Sequence, residues 1–377
     1  MNHGRAAPRW LAAVTGAALS IGIGTAGADE AAHGADGKGG QRSALLQQQR
    51  PLMGTRFTIQ LHHADSADDR ARAVRAMDLA WDLAERIEQA ASDYRADSEL
   101  TLLTSRPVGQ PLELGEHLAP LLQQALRMAE LSDGAFDPTV GHLSLLWRRA
   151  RRQGAPPTAD RLTHAMERTG WRHLTWVGQA GRTAVVLGRD DLRLDLGGIG
   201  KGYAADAMLE LLAGHGFDRA AVAAAGDLRL GRPPPGEDGW PVKLAPFGRV
   251  GSEAVAASGE GDDAGPGPGR GFRVVATAGA ADRFEPDVRL AGKAVSTSGD
   301  RQQFFEHEGR RYSHIIDPRT GLGLGHEQAV IVIAPTATEA DALATALNVI
   351  GPDLPPAMAD HLDRRGCQVW WFEPVEP

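Results

Sequence analysis

The feature that most constrains this chain is a crowd of glycines around a single lysine. Four glycines and one lysine occupy the six residues from 197 to 202. A backbone without side chains can approach a phosphate closely. The apolar residues alternate before the glycines and follow helical spacing after them: Leu192, Leu194 and Leu196, then Tyr203, Ala207, Leu211 and Leu212. We therefore expect a strand, a tight turn and a helix that together form a cradle for an anion or a cofactor.

The order of residues in this turn excludes two common phosphate-binding motifs. A Walker loop requires Ser or Thr after its lysine, and Gly202 stands there. A dinucleotide-binding fingerprint requires glycine or alanine at position 203, and Tyr203 stands there. A tight turn that only joins two elements is the alternative explanation.

Composition excludes some classes of protein. The 377 residues are 42% hydrophobic and carry a net charge of -8, which suits a large buried core and argues against disorder. The mild acidic excess gives no support for a nucleic-acid-binding protein, and the basic run at 148–152 indicates a solvated helix end. Strand and helix patterns are interspersed without a regular βαβ repeat. We expect an α+β fold in which mixed or antiparallel sheets and packed helices form one compact unit around a central cleft.

Residues 1–28 have the layout of a secretory signal peptide. Arg5 and Arg9 precede an apolar run, and small residues at 26–28 precede Asp29. An uncleaved membrane anchor is the alternative, but the run is only weakly apolar, which favours cleavage near Ala28. The only cysteine is Cys367, so the cleavage site lacks a lipoprotein cysteine and no internal disulfide can form. We expect export to the periplasm, with membrane association left open.

The rest of the chain divides into a linker and a folded domain. Residues 29–49 are rich in Gly, Ala, Gln and Asp and predict a flexible linker, and residues 50–377 form the domain. Residues 251–271 are too rich in Gly, Pro and acidic residues to bury a core, and predict a disordered insertion. Hydrophobic spacing predicts strands at 57–61 and 329–334, helices at 118–131 and 338–350, and a helix that buries Val74, Met77, Trp81, Ala84 and Ile87.

Five other motifs occur along the chain together with the glycine turn. They are Met53-Gly54-Thr55 and the segments 133–141 (DGAFDPTVG), 296–300 (STSGD), 314–321 (HIIDPRTG) and 340–347 (ADALATAL). In this order, the six motifs resemble those of the FAD:protein FMN transferases, the ApbE family, over residues 50–351. A set of six motifs is far more specific than one glycine turn.

One pair of residues has the spacing of a metal site. Asp341 and Thr345 lie four residues apart in a helical pattern, so their oxygens project from one face and can hold a hard cation. The alternative is that Thr338 and Asp341 form a capping box at the helix N-terminus. The resemblance implies that Asp341 and Thr345 bind Mg²⁺ together with the backbone carbonyl of Gly198.

The resemblance also implies which residues line the site for FAD, the substrate that donates FMN. They are Met53, Tyr94, Ala135, Phe136, Asp137, Asp195, Lys201 and Ile315. Simpler explanations compete with three of these roles, since Lys201 can extend into solvent, Asp195 can cap the turn and Phe136 can belong to the core.

His314 is the candidate catalytic residue. An imidazole titrates near neutral pH and can take a proton from an attacking hydroxyl. Asp300, Asp317 or a metal-bound group could serve instead. A histidine that only orders the turn at 318–321 is the structural explanation.

The resemblance implies Mg²⁺-dependent transfer of FMN from FAD to a Ser or Thr hydroxyl of a target protein, as a phosphoester, with release of AMP. The partners would be FAD and an acceptor such as a respiratory membrane complex subunit or a periplasmic flavoprotein, with no nucleic acid. One alternative is hydrolysis of FAD to FMN and AMP. Another is a non-catalytic flavin-binding maturation factor, which residues 223–227 (AAAGD) keep open because relatives commonly have an Asn and a second Gly there.

Overall fold

The computed structural model describes residues 22–23, 42–179, 182–246, 272–299 and 303–375. The insertion expected at 251–271 lies outside these residues, as do most of the expected signal peptide and the first part of the linker. Within the described ranges, no helix is both long enough and apolar enough to span a membrane.

The helices and strands of the described residues alternate irregularly along the chain. The helices are α1 (Ala67–Ala91), α2 (Glu99–Thr104), α3 (Leu118–Leu131), α4 (Gly141–Gln153), α5 (Ala159–Met166), α6 (Gly200–Gly214), α7 (Ala337–Ile350) and α8 (Pro356–Arg365). The strands are β1 (Gly22–Ile23), β2 (Ser43–Leu52), β3 (Thr55–Ala64), β4 (Leu112–Glu113), β5 (Leu174–Gln179), β6 (Arg182–Leu187), β7 (Ala220–Ala224), β8 (Asp227–Leu230), β9 (Trp240–Lys243), β10 (Phe272–Gly279), β11 (Asp287–Leu290), β12 (Ala294–Gly299), β13 (Phe304–His307), β14 (Arg310–Ser313), β15 (Ala329–Ala334) and β16 (Gln368–Pro374).

The architecture is built on one eight-stranded sheet with the strand order β10-β16-β15-β12-β8-β7-β3-β2. Every neighbouring pair in it is antiparallel. Helices α1, α6 and α7 share one hydrophobic core with this sheet. Residues of β9, such as Trp240, join Val295 and Ile331 of the sheet in a second buried cluster. The α+β class expected from the sequence is confirmed.

Helix α7 is buried on nearly all sides. It packs on β12 and β15 of the sheet and on α3 and α6, and its many alanines allow these close approaches. Asp341 and Asn348 are buried within this apolar helix. Buried polar groups require partners. Asn348 donates to the carbonyl of Ser298, and Asp341 accepts from Lys201 and Gly202.

Several predicted elements are confirmed. Helix α3 covers the predicted range, and Gly134 lies in the left-handed region (φ 79°) just beyond its end. Strand β15 coincides with the predicted buried strand. On α1 the stripe is buried as predicted, except that Val74 is only half-buried.

The structure corrects the predicted end of the linker, the strand predicted at 192–196 and the predicted start of α7. Strand β2 pairs with β3 from Ser43 onwards, so residues 43–49 belong to the sheet rather than to the linker. This edge strand is half-exposed and rich in glutamine, which gives a weak strand signal. The leucines at 192–196 are buried, but their segment makes only an isolated bridge between Arg193 and Val140. Helix α7 begins at Ala337 rather than Thr338.

Candidate active site

Helices α6 and α7 meet at their N-terminal ends. A Cβ atom on Gly202 would lie 2.1 Å from the carbonyl oxygen of Ala337, so only glycine allows this approach. The Asp206 carboxylate of α6 accepts hydrogen bonds from the backbone N–H groups of Ala337 (2.9 Å) and Thr338 (2.8 Å). It thereby satisfies two of the N–H groups that a helix start leaves without partners. The two helices are therefore fixed against each other where the glycine turn enters α6.

The glycine turn lies directly against the hydroxyl of Thr345. A Cβ atom on Gly198 would lie 3.0 Å from Thr345 Oγ1 and 3.3 Å from Phe136 Cε2. Three separate motifs, the glycine turn, the segment at 133–141 and α7, thus meet at Gly198.

Asp341 projects from α7 towards the same turn. The residue is nearly buried, at 5% exposed, and its Oδ2 accepts hydrogen bonds from Gly202 N–H and Lys201 Nζ, both at 3.2 Å. Burial, followed by the nearby charge of Asp227, raises the pKa of Asp341 to about 7, although Lys201 and the Gly202 N–H oppose this rise. The carboxylate charge is therefore costly in the absence of a further cation.

The capping-box explanation for Asp341 is wrong. The N-cap of α7 is Thr336, whose side chain accepts from Glu339 N–H. The hydroxyl of Thr338 donates to Asp206 instead (2.6 Å). Because the N-cap is Thr336, two residues before Thr338, Asp341 lies beyond the capping-box position and turns towards α6.

Lys201 sits between two buried carboxylates rather than in solvent. Its Nζ lies 3.2 Å from Asp227 Oδ2 and donates to Gly197 O at 3.1 Å as well as to Asp341. Burial alone would lower the pKa of Lys201, but the charges of Asp227 and Asp341 outweigh it and raise that pKa. One lysine against two carboxylates leaves an excess of negative charge, which suits a bound cation.

The oxygen donors present fit Mg²⁺. The Asp341 carboxylate, the Thr345 hydroxyl and the backbone at Gly198 converge, and Mg²⁺ prefers oxygen ligands with water or phosphate completing its shell. Among the described residues, no group of three or more His, Cys, Asp and Glu side chains could hold a metal. A site here would therefore depend on the hydroxyl and on a backbone carbonyl.

In the segment at 133–141, the Phe136 ring is better placed to contact a ligand than the Asp137 carboxylate. Asp137 is 7% exposed; its Oδ1 accepts from Thr139 N–H and Oγ1–H at 2.7 and 2.6 Å, and its Oδ2 accepts from Trp171 N–H at 3.0 Å. Burial raises the pKa of Asp137 in spite of these hydrogen bonds. Both oxygens are thus committed within the protein, whereas the Phe136 ring is adjacent to Gly198.

Asp195 and Tyr94 are linked through Arg148. Asp195 Oδ1 caps the glycine turn by accepting from Gly197 N–H (2.9 Å), and its Oδ2 accepts from Arg148 Nη2 (2.9 Å). The same guanidinium binds Asp93 Oδ2 (2.9 Å) and lies 4.7 Å from the centre of the Tyr94 ring. Tyr94 is 77% exposed, so its outer face is open. Arg148 is therefore not part of a solvated helix end.

His314 and Ile315 follow the β13–β14 hairpin. The exposed His314 ring approaches the carbonyl of Gln303 through Nδ1 (3.2 Å). Asp317, not His314, organises the following turn, because its carboxylate accepts from the backbone and side chain of Arg319 at 2.9 to 3.0 Å. The same pairing occupies Asp317 as an alternative base. Asp300, the other alternative, lies outside the described residues.

Ile315 connects this segment to the rest of the site. It shares a small buried cluster with Ala135 and with Val349 of α7. Val349 follows Thr345 by one helical turn, so the segment that contains Ile315 clusters with the α7 face that carries Thr345. Met53 lies in the turn between β2 and β3, where its N–H donates to Glu88 Oε1 of α1 (3.0 Å).

Two surface depressions of the described residues lie away from the glycine turn. One depression lies between α4 and α5 and includes Arg149 and Arg161. Another lies beside the Met53 turn and includes Leu52 and Glu88. Neither contains a residue of the glycine turn.

Residues 53–370 match the model of the ApbE family. The chain belongs to the ApbE family. It is 32% identical over 269 residues to the FAD:protein FMN transferase of Escherichia coli K12, covering 71% of this chain and 68% of that protein. It is 34% identical over 280 residues to the FAD:protein FMN transferase of Treponema pallidum, covering 73% of this chain and 71% of that protein.

Solved ApbE structures share the fold. The ApbE protein of Thermotoga maritima superposes with a TM-score of 0.66 at 26% identity, covering 88% of this chain and 97% of that one. The apo flavinyl transferase ApbE of Pseudomonas stutzeri superposes with a TM-score of 0.65 at 26% identity, covering 88% and 94%. The resemblance drawn from the six motifs is thereby confirmed.

Sequence reasoning missed Asp227, Ser296 and Arg148 as members of this ApbE site. Asp227 is the first residue of β8. The only sequence feature that could have indicated its role is an acidic residue at the start of an apolar strand. Arg148 was hidden in the basic run at 148–152, and its partner Asp195 is 47 residues away. Ser296 lies inside a quoted motif, but its partner Asp227 is 69 residues away.

Proposed function

We propose that this ApbE-family protein transfers FMN from FAD to the hydroxyl of a Ser or Thr in a target protein, forming a phosphoester and releasing AMP. The observation that carries the proposal is the contact of the glycine turn with Thr345 beside the buried Asp341. Relatives at 32% and 34% identity are FAD:protein FMN transferases, which supports the same chemistry here.

Mg²⁺ is the metal we propose for this site. Asp341, Thr345 and the carbonyl of Gly198 would hold it, and the negative charge left by Asp227 and Asp341 against Lys201 supports a divalent cation. When bound, Mg²⁺ supplies charge neutralisation at the diphosphate as the bond to AMP breaks. Lys201 would add a fixed positive charge beside the same phosphates.

The remaining residues would bind and orient the two substrates. The open face of Tyr94, backed by Arg148, can stack on a planar ring system, and the Phe136 ring lies at the metal-binding turn. Ala135 and Ile315 would form an apolar wall beside them. Met53 would bind the far end of FAD, and Asp137 would act by holding its segment in place.

His314 would take the proton from the attacking hydroxyl. Its ring is exposed on the segment that adjoins α7, so an acceptor protein can reach it. This assignment is supported by the pairing of Asp317 with Arg319, which removes one competing base.

We further propose that the mature protein acts in the periplasm. The signal-like segment at 1–28 supports export, and the acceptor would be a respiratory membrane complex subunit or a periplasmic flavoprotein. A flavin tethered to its protein cannot diffuse away, which suits an exported electron-transfer system.

One incubation tests the activity. The protein lacking residues 1–28 is mixed with FAD, MgCl₂ and a candidate acceptor, and the products are separated under denaturing conditions. Acceptor-bound flavin fluorescence with stoichiometric AMP is the expected result. AMP with free FMN and no labelled acceptor would instead indicate a FAD pyrophosphatase, and neither product would indicate a flavin-binding maturation factor.

The variant Asp341→Ala tests the metal ligand in the same assay. We expect loss of labelling at limiting MgCl₂, because the only carboxylate ligand is gone. Asp69→Asn is the control, since Asp69 also forms an ion pair, with Arg72 at 2.7 Å, but lies at the start of α1. Full activity of Asp341→Ala at limiting MgCl₂ would contradict the assignment.

A further inference from the structure

The ammonium group of Lys201 has an acceptor that belongs to none of the predicted site residues. In addition to Gly197 O and Asp341, Asp227 Oδ2 lies 3.2 Å from Lys201 Nζ. These three oxygens surround the ammonium group, which donates to Gly197 O and Asp341 and forms an ion pair with Asp227. Asp227 Oδ2 is buried among the described residues, so this ion pair offsets its charge.

Asp227 itself has a fixed position. It is 2% exposed and stands opposite Ser296 in the register of β8 and β12. Ser296 Oγ donates to Asp227 Oδ1 at 2.6 Å. One oxygen of the carboxylate is thus bound to the central sheet and the other faces the lysine.

Lys201 transmits this position to two parts of the metal site. It donates to the Asp341 carboxylate of α7 and to the carbonyl of Gly197, which is one peptide before Gly198. A free lysine side chain samples many rotamers, and ordering it costs side-chain entropy. A buried partner on the sheet confines it to the rotamer that serves both contacts.

We propose that Asp227 is a positioning residue for the metal site. Through Lys201 it sets the orientation of the Asp341 carboxylate and of the glycine turn, although it is not itself a ligand. The proposal rests on the proposed function only in taking Asp341 and Gly198 as ligands of Mg²⁺. Partners that orient metal ligands typically change metal affinity about 10- to 100-fold when removed.

The lysine content of the chain makes a direct test practical. The chain has only the lysines Lys38, Lys201, Lys243 and Lys293. Labelling with lysine enriched in ¹³C at the ε carbon therefore gives few signals, and Lys201→Met assigns the one from Lys201. The chain lacking residues 1–28 is compared with Asp227→Asn, Ser296→Ala and the control Asp69→Asn. Each is measured without metal and during titration with MgCl₂, and Mg²⁺ affinity is also measured by calorimetry.

Two results together support the proposal. Asp227→Asn shifts or broadens the Lys201 signal in the metal-free protein and weakens Mg²⁺ binding by about 10-fold or more. Ser296→Ala, which keeps the charge of Asp227 but frees the carboxylate, changes both readouts in the same direction to a smaller degree. Asp69→Asn changes neither readout.

Other results overturn it. Weaker Mg²⁺ binding with an unmoved Lys201 signal would mean that Asp227 acts only through its charge. A moved signal with unchanged Mg²⁺ affinity would mean that the contact only stabilises the fold. Circular dichroism checks folding, and Ser296→Ala carries the test if Asp227→Asn does not fold. If the wild-type protein binds no Mg²⁺ at all, the metal assignment of the proposed function fails, and the proposal built on it fails as well. If the wild-type protein binds Mg²⁺ but Asp227→Asn leaves the Lys201 signal unmoved, only the positioning role is refuted.

Discussion

Gly202 and Ala337 approach so closely that a Cβ atom on the glycine would lie 2.1 Å from the alanine carbonyl oxygen. Beside this contact, the Asp206 carboxylate of α6 accepts hydrogen bonds from the first two N–H groups of α7. The lysine-bearing turn and the helix with Asp341 and Thr345 are therefore held together by backbone packing. This close packing explains why glycine, rather than the Ser or Thr of a Walker loop, follows Lys201.

Gly202→Ala should destabilise the protein and disturb the site. The added methyl group meets backbone atoms that cannot move aside, so α6 and α7 must separate, at a cost of about 1–3 kcal/mol in the free energy of unfolding. Urea unfolding monitored by tryptophan fluorescence measures this loss. Gly200→Ala is the matched control, because a Cβ atom there meets nothing within 4 Å. Equal stability of the two variants would contradict the prediction.

Thr345→Val should weaken Mg²⁺ binding with little effect on stability. Valine keeps the shape of threonine but lacks the hydroxyl. That hydroxyl faces the glycine turn, because a Cβ atom on Gly198 would lie only 3.0 Å from Thr345 Oγ1. We expect a loss of about tenfold or more in Mg²⁺ affinity, measured by calorimetry. Thr345→Ser, which keeps the hydroxyl, should retain most of the affinity. If valine and serine variants bind Mg²⁺ equally, the hydroxyl is not a ligand.

The metal-free protein should become less stable as pH rises because of Asp341. Its pKa is raised from 3.8 to about 7 by burial and by Asp227. Between these values the folded protein holds a proton that the unfolded chain releases, so this contribution to stability is lost as pH increases from 3.8 to about 7. Urea unfolding in EDTA at pH 5 and pH 7.5 measures the change, and Asp341→Asn should reduce it.

Glu339, on the same helix, provides a control of opposite sign. Burial would raise its pKa, but hydrogen bonds from His361 and Arg365 lower it below 4.5. Its contribution to stability is therefore present above that pH and is lost as pH falls. Glu339→Gln should remove stability at neutral pH, and a Glu339 variant that behaved like Asp341→Asn would refute both assignments.

His314→Ala should slow transfer while FAD remains bound. General-base catalysis typically contributes about 10²- to 10⁴-fold, and the His314 ring is not part of the core that holds the fold. Single-turnover labelling of the acceptor measures the rate, and fluorescence quenching measures FAD binding. An unchanged rate would remove His314 as the base. His314 Nδ1 contacts the backbone carbonyl of Gln303, not its side chain. Gln303→Ala keeps this carbonyl and should therefore leave the transfer rate unchanged.

Local pattern made the main parts of the site predictable. Asp341 and Thr345 are four residues apart on one helix, so their common face follows from the helical repeat alone. The glycine turn and its lysine are adjacent in sequence, and the order of the motifs identified the family. The buried strand at 329–334 was equally clear because every residue in it is apolar.

Long-range contacts made the rest unpredictable. Asp227 reaches Lys201 and Ser296 only because β8 and β12 pair in the central sheet. Arg148 meets Asp195 across 47 residues of chain, and nothing local distinguishes it from its basic neighbours. The polar edge strand β2 was mistaken for linker, since its pairing with β3 does not depend on buried side chains along most of its length.

The glycine turn and α7 are far apart in the chain: Lys201, which ends the turn after Gly198, and Asp341 are separated by 140 positions. The proposed Mg²⁺ ligands therefore come together only in the folded chain, because Gly198 lies on the glycine turn and Asp341 and Thr345 lie on α7. Binding of the proposed ion would then follow the folding that packs α6 against α7.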